Sequence, residues 1–316
     1  MDDLLPLVSI VMPCFNALAF LDGSVGSVLA QTFENWELIA VDDGSSDGTM
    51  AWLQAVGDPR VRAVCQDNGG VSSARNKGIG LARGRYIAFL DADDRWDARF
   101  LQRMTETLET RPDAVLAYCG WQNVGRPGPA GAPYVPPDIE SATKRETLFA
   151  GCQWPIHAAL VQREAVVAAG GFDTSLQNAE DYALWLGIGT TGSLVRVPEV
   201  LAYYIFHSGA QASRHRARAA LQFFAVQQRY LARHPEFTRA LGTRRCRDLT
   251  VGTLMHRGFE CYWADELDDA RLIFTTVMRH WYGQRSDWRL MLPSWLPLRW
   301  HAALIRLMRN RQETSS

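Results

Sequence analysis

The chain has 316 residues, 47% hydrophobic and 21% charged, with 33 basic against 34 acidic side chains and a formal net charge of −1. That length can bury a proper core in one large domain or two smaller ones, and the composition excludes disordered and fibrous classes. The balance argues against a protein coated in nucleic acid, yet it conceals an asymmetry: residues 1–200 hold 15 basic and 25 acidic side chains (net −10), residues 201–316 hold 18 and 9 (net +9).

In chain order, the N-terminus MDDLLPLVSI is acidic and lacks the basic start and long apolar run of a signal peptide. The next hundred residues alternate two patterns. Val8–Met12, Trp36–Val41, Val61–Cys65 and Tyr86–Leu90 read as buried strands, and 17–32, 47–56 and 70–83 have helical spacing, with Asp47 and Ser72 as caps. Such alternation predicts an α/β fold with a mostly parallel sheet covered by helices on both faces. An amphipathic helix follows at 97–111, a strand at Val115–Gly120, and a Pro/Gly-rich loop or lid at 125–137. Residues 158–170 predict a strand and short helix ending at Gly170-Gly171, and 178–189 another helix. Beyond about 212 the pattern is helical and basic, with Arg214, Arg216, Arg218, Arg244, Arg245 and Arg247. The boundary divides the chain into 1–212, itself split near 120, and 213–316. No window of about 18 apolar residues occurs, so no span is expected. The six cysteines, at 14, 65, 119, 152, 246 and 261, include no Cys-x-x-Cys pair, and buried free thiols of a reducing cytoplasm are expected.

In parallel α/β sheets ligands sit at the carboxyl ends of the strands. Here those ends read Pro13-Cys14-Phe15-Asn16, Asp42-Asp43-Gly44-Ser45-Ser46-Asp47, Gln66-Asp67-Asn68-Gly69-Gly70 and Asp91-Ala92-Asp93-Asp94. Three of the four deliver carboxylates, whereas acids placed at random on a surface would scatter over both ends of the sheet. Asp91 and Asp93, one residue apart after an apolar strand, can converge on a hard divalent cation, although Asp-x-Asp is also common in turns. Asp43 can accept from a nucleobase N–H or simply make an Asx-turn before a helix. Arg75 and Lys77 near a helix start suit an anionic ligand, and a solvated helix face accounts for Lys77 equally well.

Taken together and in order, VSIVMPCFN, WELIAVDDGSSDGT, NGGVSSARNKGI and YIAFLDADD resemble the nucleotide-binding half of a family-2 inverting glycosyltransferase with the GT-A fold, over roughly residues 7–210. The resemblance implies a GT-A catalytic domain at 1–212, its donor part at about 1–120 and its acceptor part at about 121–212, followed by a helical C-terminal extension. It implies that Pro13 and Phe15 line the base pocket, Asp43 reads the base edge, and Asn68 and Arg75 complete the nucleoside site. Asp91 would contact the ribose or the metal shell, and Asp93 would bind the Mn²⁺ or Mg²⁺ ion that bridges the diphosphate. The family's catalytic base follows a Gly-Gly-Phe-Asp turn. Here Gly170-Gly171-Phe172-Asp173 precedes Glu180-Asp181, which puts the base at Asp181 with Glu180 as its orienting neighbour, or at Glu180 itself. His207 would join the metal shell, but Ile205 stands where an arginine is usual, so one phosphate contact is in doubt.

The chemistry asks for these parts. Inverting displacement needs charge on the leaving diphosphate and one base on the opposite face, whereas a double displacement needs a second carboxylate as nucleophile. Like-charge repulsion between Glu180 and Asp181 should raise the pKa of the base. Trp154 could offer a sugar-stacking face in the acceptor pocket, or sit wedged under a loop, and Trp96 could flank the donor sugar. In the basic tail Leu296, Trp300, Leu304 and Leu307 fall on one helical stripe with Arg299 and Arg306 off it. That stripe can lie on an anionic membrane or pack on the domain. The expected partners are a nucleotide-sugar, most simply a UDP-sugar, and a saccharide or lipid-linked acceptor, with no nucleic acid. The rival reading is a nucleotide-sugar-binding scaffold that has lost turnover. A phosphotransferase of haloacid-dehalogenase type fits less well, since its Asp-x-Asp ends the first strand of its core and not the fourth.

Overall fold

The computed structural model describes residues 5–207, 216–296 and 300. The chain divides into two compact units, Met1–Gly209 and Ala210–Ser316. In the first, β1 (Val8–Cys14), β2 (Trp36–Asp42), β3 (Val61–Cys65), β4 (Tyr86–Phe89), β5 (Arg95–Trp96), β6 (Ala114–Val124), β7 (Ala159–Gln162) and β8 (Ser193–Ile205) form one sheet, in the order β3-β2-β1-β4-β7-β6-β8-β5. Between them run α1 (Leu21–Leu29), α2 (Thr49–Gln54), α3 (Val71–Leu81), α4 (Phe100–Thr110), α5 (Lys144–Ala150), α6 (Arg163–Ala168) and α7 (Glu180–Thr191).

Strands β3, β2, β1 and β4 are mutually parallel, as expected of strands joined by helical crossovers; β1, β2 and β4 are buried throughout, whereas β3, at the edge of the sheet, is half-exposed and not the buried strand its apolar run predicts. The remainder is mixed: β7 runs antiparallel to β4 and β6, β6 parallel to β8, and β5 antiparallel to β8. Register sets the site's geography. Cys14 pairs with Asp42, Asp42 with Cys65, and Val11 with Phe89, so the polar segments that follow these strands emerge along one edge.

The expected caps are corrected. Ser72 lies inside α3, buried and without a hydrogen-bond partner, and Gly70 occupies the cap position. Asp47 precedes the cap residue Gly48; its Oδ1 accepts from the Thr49 N–H at 3.0 Å and its Oδ2 from the Leu18 N–H at 3.1 Å, tying the β1–α1 and β2–α2 loops together. Helix α3 lies close on β1 because Gly78 has no side chain: a Cβ there would stand 2.4 Å from Val11 Cγ1. Gly78→Val should therefore push α3 off the sheet and destabilise the protein by about 1–3 kcal/mol, read as a lowered denaturation midpoint with an unchanged denaturant slope.

The second unit is helical: α8 (Arg216–Arg233), α9 (Pro235–Leu241), α10 (Thr243–Arg247), α11 (Thr253–Trp263), α12 (Leu267–Arg279) and α13 (Arg285–Met291). Its core includes Phe224, Leu254, Tyr262, Ile273, Phe274 and Met291. No helix among the described residues is long and apolar enough to cross a membrane. Leu304, Leu307, Arg299 and Arg306 of the expected C-terminal stripe lie outside the described residues.

Candidate active site

Phe15 is 54% exposed at the end of β1, while Pro13, two residues earlier, is buried in the strand. The loop between them and α1 is held by Asn16, which adopts a left-handed backbone (φ 48°) and whose Oδ1 accepts from the Ser46 N–H at 2.9 Å. Asp43 is buried and heavily engaged. Its Oδ1 accepts from Gly69 N–H (2.8 Å) and Gln66 Nε2 (2.7 Å), and its Oδ2 from Gly70 N–H (2.8 Å). Asn68 donates through Nδ2 to the Asp43 carbonyl at 3.0 Å. Asp43 thus first builds the Gly69-Gly70 turn, leaving lone-pair capacity on Oδ2 for a further donor.

Arg75 departs most from its expected role. It is buried on α3, and its two terminal nitrogens are taken by carboxylates: Nη2 donates to Asp91 Oδ1 at 2.7 Å and Nη1 to Glu180 Oε1 at 2.9 Å. It is therefore a clamp between the end of β4 and the start of α7, not a free cation awaiting an anionic ligand. Lys77 likewise donates to the Cys65 carbonyl, at 2.7 Å. Burial opposes the Arg75 charge, but Asp91, Glu180 and Asp181 more than offset it and hold the guanidinium firmly protonated.

The turn before α7 supports that clamp. Gly170 and Gly171 both have positive φ, and at Gly171 a Cβ would meet Asn76 Oδ1 at 2.6 Å. Asn76 grips the next residue from both sides, with Oδ1 accepting from the Phe172 N–H and Nδ2 donating to the Phe172 carbonyl, each at 2.8 Å. The Phe172 ring then lies 5.1 Å beneath the Arg75 guanidinium and edge-on to Phe89. Asp181 follows Glu180 on α7. Its Oδ1 accepts from the Tyr182 N–H at 2.6 Å, and its pKa is pushed up to about 6, first by burial and then by the charge of Glu180. The Cys152 thiol stands 3.8 Å from Asp181 Oδ2.

At the turn after β4, Asp93 Oδ2 and His207 Nε2 are 3.0 Å apart, and the His207 ring packs on Phe20 with centroids 4.4 Å apart. Burial raises the Asp93 pKa, as do the neighbouring charges of Asp94 and Asp91. Excess negative charge of this kind, with an imidazole nitrogen beside it, suits a hard cation. Asp91 does not complete a tight triad, because the ligand atoms of Asp91, Asp93 and His207 do not all fall within 4.8 Å of one another.

Three contributors escaped the sequence reading. Asp94 is buried 3.0 Å from His157 Nδ1, and its Oδ1 accepts from the Ile205 N–H at 2.9 Å, which fixes the end of β8 beside the Asp93 turn. Burial works against a His157 cation, yet the pull of Asp94, Asp91 and Asp93 keeps its pKa raised. The second is Asn76, which a Gly-Gly turn lying 94 residues further on could not reveal. The third is Arg126, just beyond β6. Its guanidinium carbon lies 4.4 Å from the Phe206 ring centroid, one residue from His207, and it makes no ion pair with a described residue.

Neither tryptophan serves as a sugar platform. Trp154 is 1% exposed and stacked on Tyr118 (4.6 Å, 12°), and Trp96 is 4% exposed and stacked on Phe100 (4.2 Å, 9°) with its indole N–H donated to the His157 carbonyl. Aromatic faces already covered by core partners cannot take an acceptor ring.

Residues 9–145 match the profile of the family described as Glycosyl transferase family 2. The chain is 37% identical over 196 residues to the uncharacterized glycosyltransferase EpsJ of Bacillus subtilis, a match covering 56% of this chain and 54% of that one. Over 189 residues it is 33% identical to WfgD of Escherichia coli, named a UDP-Glc:alpha-D-GlcNAc-diphosphoundecaprenol beta-1,3-glucosyltransferase, covering 60% of this chain and 71% of that one. The chain spans about half the length of EpsJ. Among solved structures, the mannosyltransferase PcManGT of Pyrobaculum calidifontis, in complex with GDP-Man and Mn²⁺, is similar with a TM-score of 0.55 at 20% identity, covering 95% of this chain and 87% of that one. That likeness shows the fold, the GT-A arrangement of a mixed sheet and helices.

Proposed function

Since the chain belongs to glycosyltransferase family 2, we propose that it is an inverting, metal-dependent hexosyltransferase. It moves a sugar from a nucleotide-sugar, in the first instance a UDP-sugar, to a saccharide or lipid-linked acceptor in cell-surface polysaccharide synthesis. The observation that carries this reading is the Arg75 fork, which draws the carboxylate after β4 and the acidic start of α7 to a single guanidinium. A scaffold that only bound nucleotide would need no acid pair there, and still less one in which burial raises Asp181. The UDP donor and the diphosphoundecaprenol-linked acceptor in the name of the E. coli relative favour the same assignment, as does the Mn²⁺ in the complex of the archaeal mannosyltransferase. The enzyme works in the cytoplasm, where nucleotide sugars are available.

In this mechanism Phe15 covers the face of the nucleobase, with Pro13 behind it, and Asp43 and Asn68 present polar atoms to its edge. The acceptor hydroxyl attacks the sugar C1 as Asp181 takes its proton. The new O–C1 bond forms while the bond from C1 to the diphosphate oxygen breaks on the opposite face. With Asp181 as base, and the neighbouring carboxylates Asp91 and Glu180 both held by Arg75, the arrangement fits one displacement and inversion. Glu180, already committed to Arg75, orients the start of α7 and is not the base. Asp93 and His207, with Asp91 alongside, are the residues that would hold a Mn²⁺ or Mg²⁺ ion, which when bound would supply positive charge for the departing diphosphate.

The test is release of nucleoside diphosphate from a panel of nucleotide sugars, with and without Mn²⁺, in the presence of lipid-linked and free saccharide acceptors. Turnover of none of them, or turnover unchanged by chelation, would overturn the reading. His207→Ala should weaken Mn²⁺ binding by about tenfold or more, measured by isothermal titration without substrate. Arg126, whose guanidinium lies over the Phe206 ring and has no ion pair among the described residues, takes the phosphate contact that Ile205 cannot make. Arg126→Ala should raise the donor KM severalfold while kcat changes little, the pattern of lost uniform binding.

A further inference from the structure

The second unit carries an exposed aromatic and basic surface made of residues other than those proposed for transfer. Trp281 and Trp295 are 80% and 62% exposed, far beyond what a large indole normally leaves in water. The Trp281 ring packs on Trp288, centroids 5.5 Å apart. Helix α13 and the 3-10 turn after it (Leu292–Trp295) explain the pattern. Met291 and Ser294 face inward, while Arg285, Arg289, Leu292 and Trp295 face outward at steps of three or four residues. Arg247 adds a cation at the Trp281 end, its Nη2 donating to the Trp281 carbonyl at 3.1 Å.

These cations have no carboxylate partners among the described residues. Arg247, Arg285 and Arg289 are exposed and make no ion pair with a described residue, whereas in the first unit Arg60, Arg85, Arg103 and Arg111 are each bridged to an acid. The exposed indoles of Trp281 and Trp295, before and after α13, with the guanidinium groups of Arg285 and Arg289 on its outward face, match the headgroup region of an anionic bilayer. There the ring bodies sit at the acyl boundary and the arginines meet lipid phosphates. A second copy of this chain fits poorly, because self-pairing would set arginine against arginine.

We propose that the face formed by Trp281, Trp288, Leu292 and Trp295 with Arg285 and Arg289 docks the protein onto anionic lipid. The proposal draws on the lipid-linked acceptor proposed above only for its purpose, and its test contains neither donor nor acceptor. The full chain should sediment with phosphatidylcholine vesicles containing phosphatidylglycerol and not with phosphatidylcholine alone. Tryptophan emission should shift to the blue and be quenched by brominated lipid. Binding should fall as salt is raised toward about 1 M. Trp281→Ser with Trp295→Ser, and separately Arg285→Glu with Arg289→Glu, should each lower partitioning by about tenfold or more. Both pairs should leave melting temperature and transfer to a water-soluble acceptor unchanged. No sedimentation, equal binding to neutral vesicles, or full binding by the charge-reversed variant overturns the proposal. So does a concentration-dependent dimer that the serine variants abolish, which would assign the face to a second copy. Failure here with transferase activity intact leaves the proposed function standing, and the reverse result leaves the lipid face standing.

Discussion

Asp181→Asn lowers kcat by about two to four orders of magnitude, the range typical of a lost general base, while donor binding by titration calorimetry stays within about twofold. Asparagine keeps the oxygen that accepts from the Tyr182 N–H but cannot take a proton from a hydroxyl. In the wild type only the carboxylate form is competent, and its pKa is pushed up to about 6 by burial and by Glu180. Accordingly kcat/KM rises about tenfold per pH unit below pH 6 and levels off above it.

The same shift has a consequence for stability, with a definite sign. A carboxyl whose folded pKa lies above its unfolded value contributes stability when protonated, and that contribution is lost as pH rises through the folded pKa. Asparagine, always neutral, loses nothing. The Asp181→Asn variant should therefore melt above the wild type at pH 7, and the difference should close as pH falls toward the ordinary aspartate value. A variant that is inactive yet more stable separates loss of the base from loss of the fold. If transfer persisted at normal acceptor concentration, Asp181 would not be the base.

How far the sequence carried this site depends on the distance over which each contact acts. The parallel strands were legible because short apolar runs and the segments after them are local patterns, and parallel register then aligns Cys14, Asp42 and Cys65 at one edge. Helix α5 and the two-residue strand β5 were not anticipated. Six or seven residues of amphipathic spacing do not stand out from a loop, and β5 exists only through its pairing with β8. The tryptophans misled for a related reason. Trp96 and Trp154 stand next to site residues in the sequence, but stacking on Phe100 and Tyr118 turns them into the core. Arg75 was recognised as a site residue, but its partner Glu180 lies 105 residues away, and no local pattern distinguishes a guanidinium that meets phosphate from one that meets carboxylates.

Arg75→Met should be the most disruptive single substitution in the first unit. Methionine fills much of the arginine's volume and still packs on Phe172, but it removes the cation between Asp91 and Glu180. Breaking a buried ion pair on one side costs up to about 3–5 kcal/mol, and the partial exposure of Asp91 and Glu180, the carboxylates left without compensation, puts this case toward the lower end. Arg75→Lys should recover only part of this, since an ammonium cannot span both carboxylates as the planar fork does. If the cost comes from stranded acids, adding Glu180→Gln to Arg75→Met should restore part of the stability. A double-mutant cycle by urea denaturation should then show coupling of about 0.5–3 kcal/mol. Additive effects would mean that Arg75 acts through packing alone. Where Arg75→Met still folds, the rising limb of its pH profile should move above that of the wild type, because Arg75 is the cation that holds the Asp181 pKa down against burial and Glu180. A limb that stayed in place would separate the clamp from the base and leave Arg75 with a purely structural role.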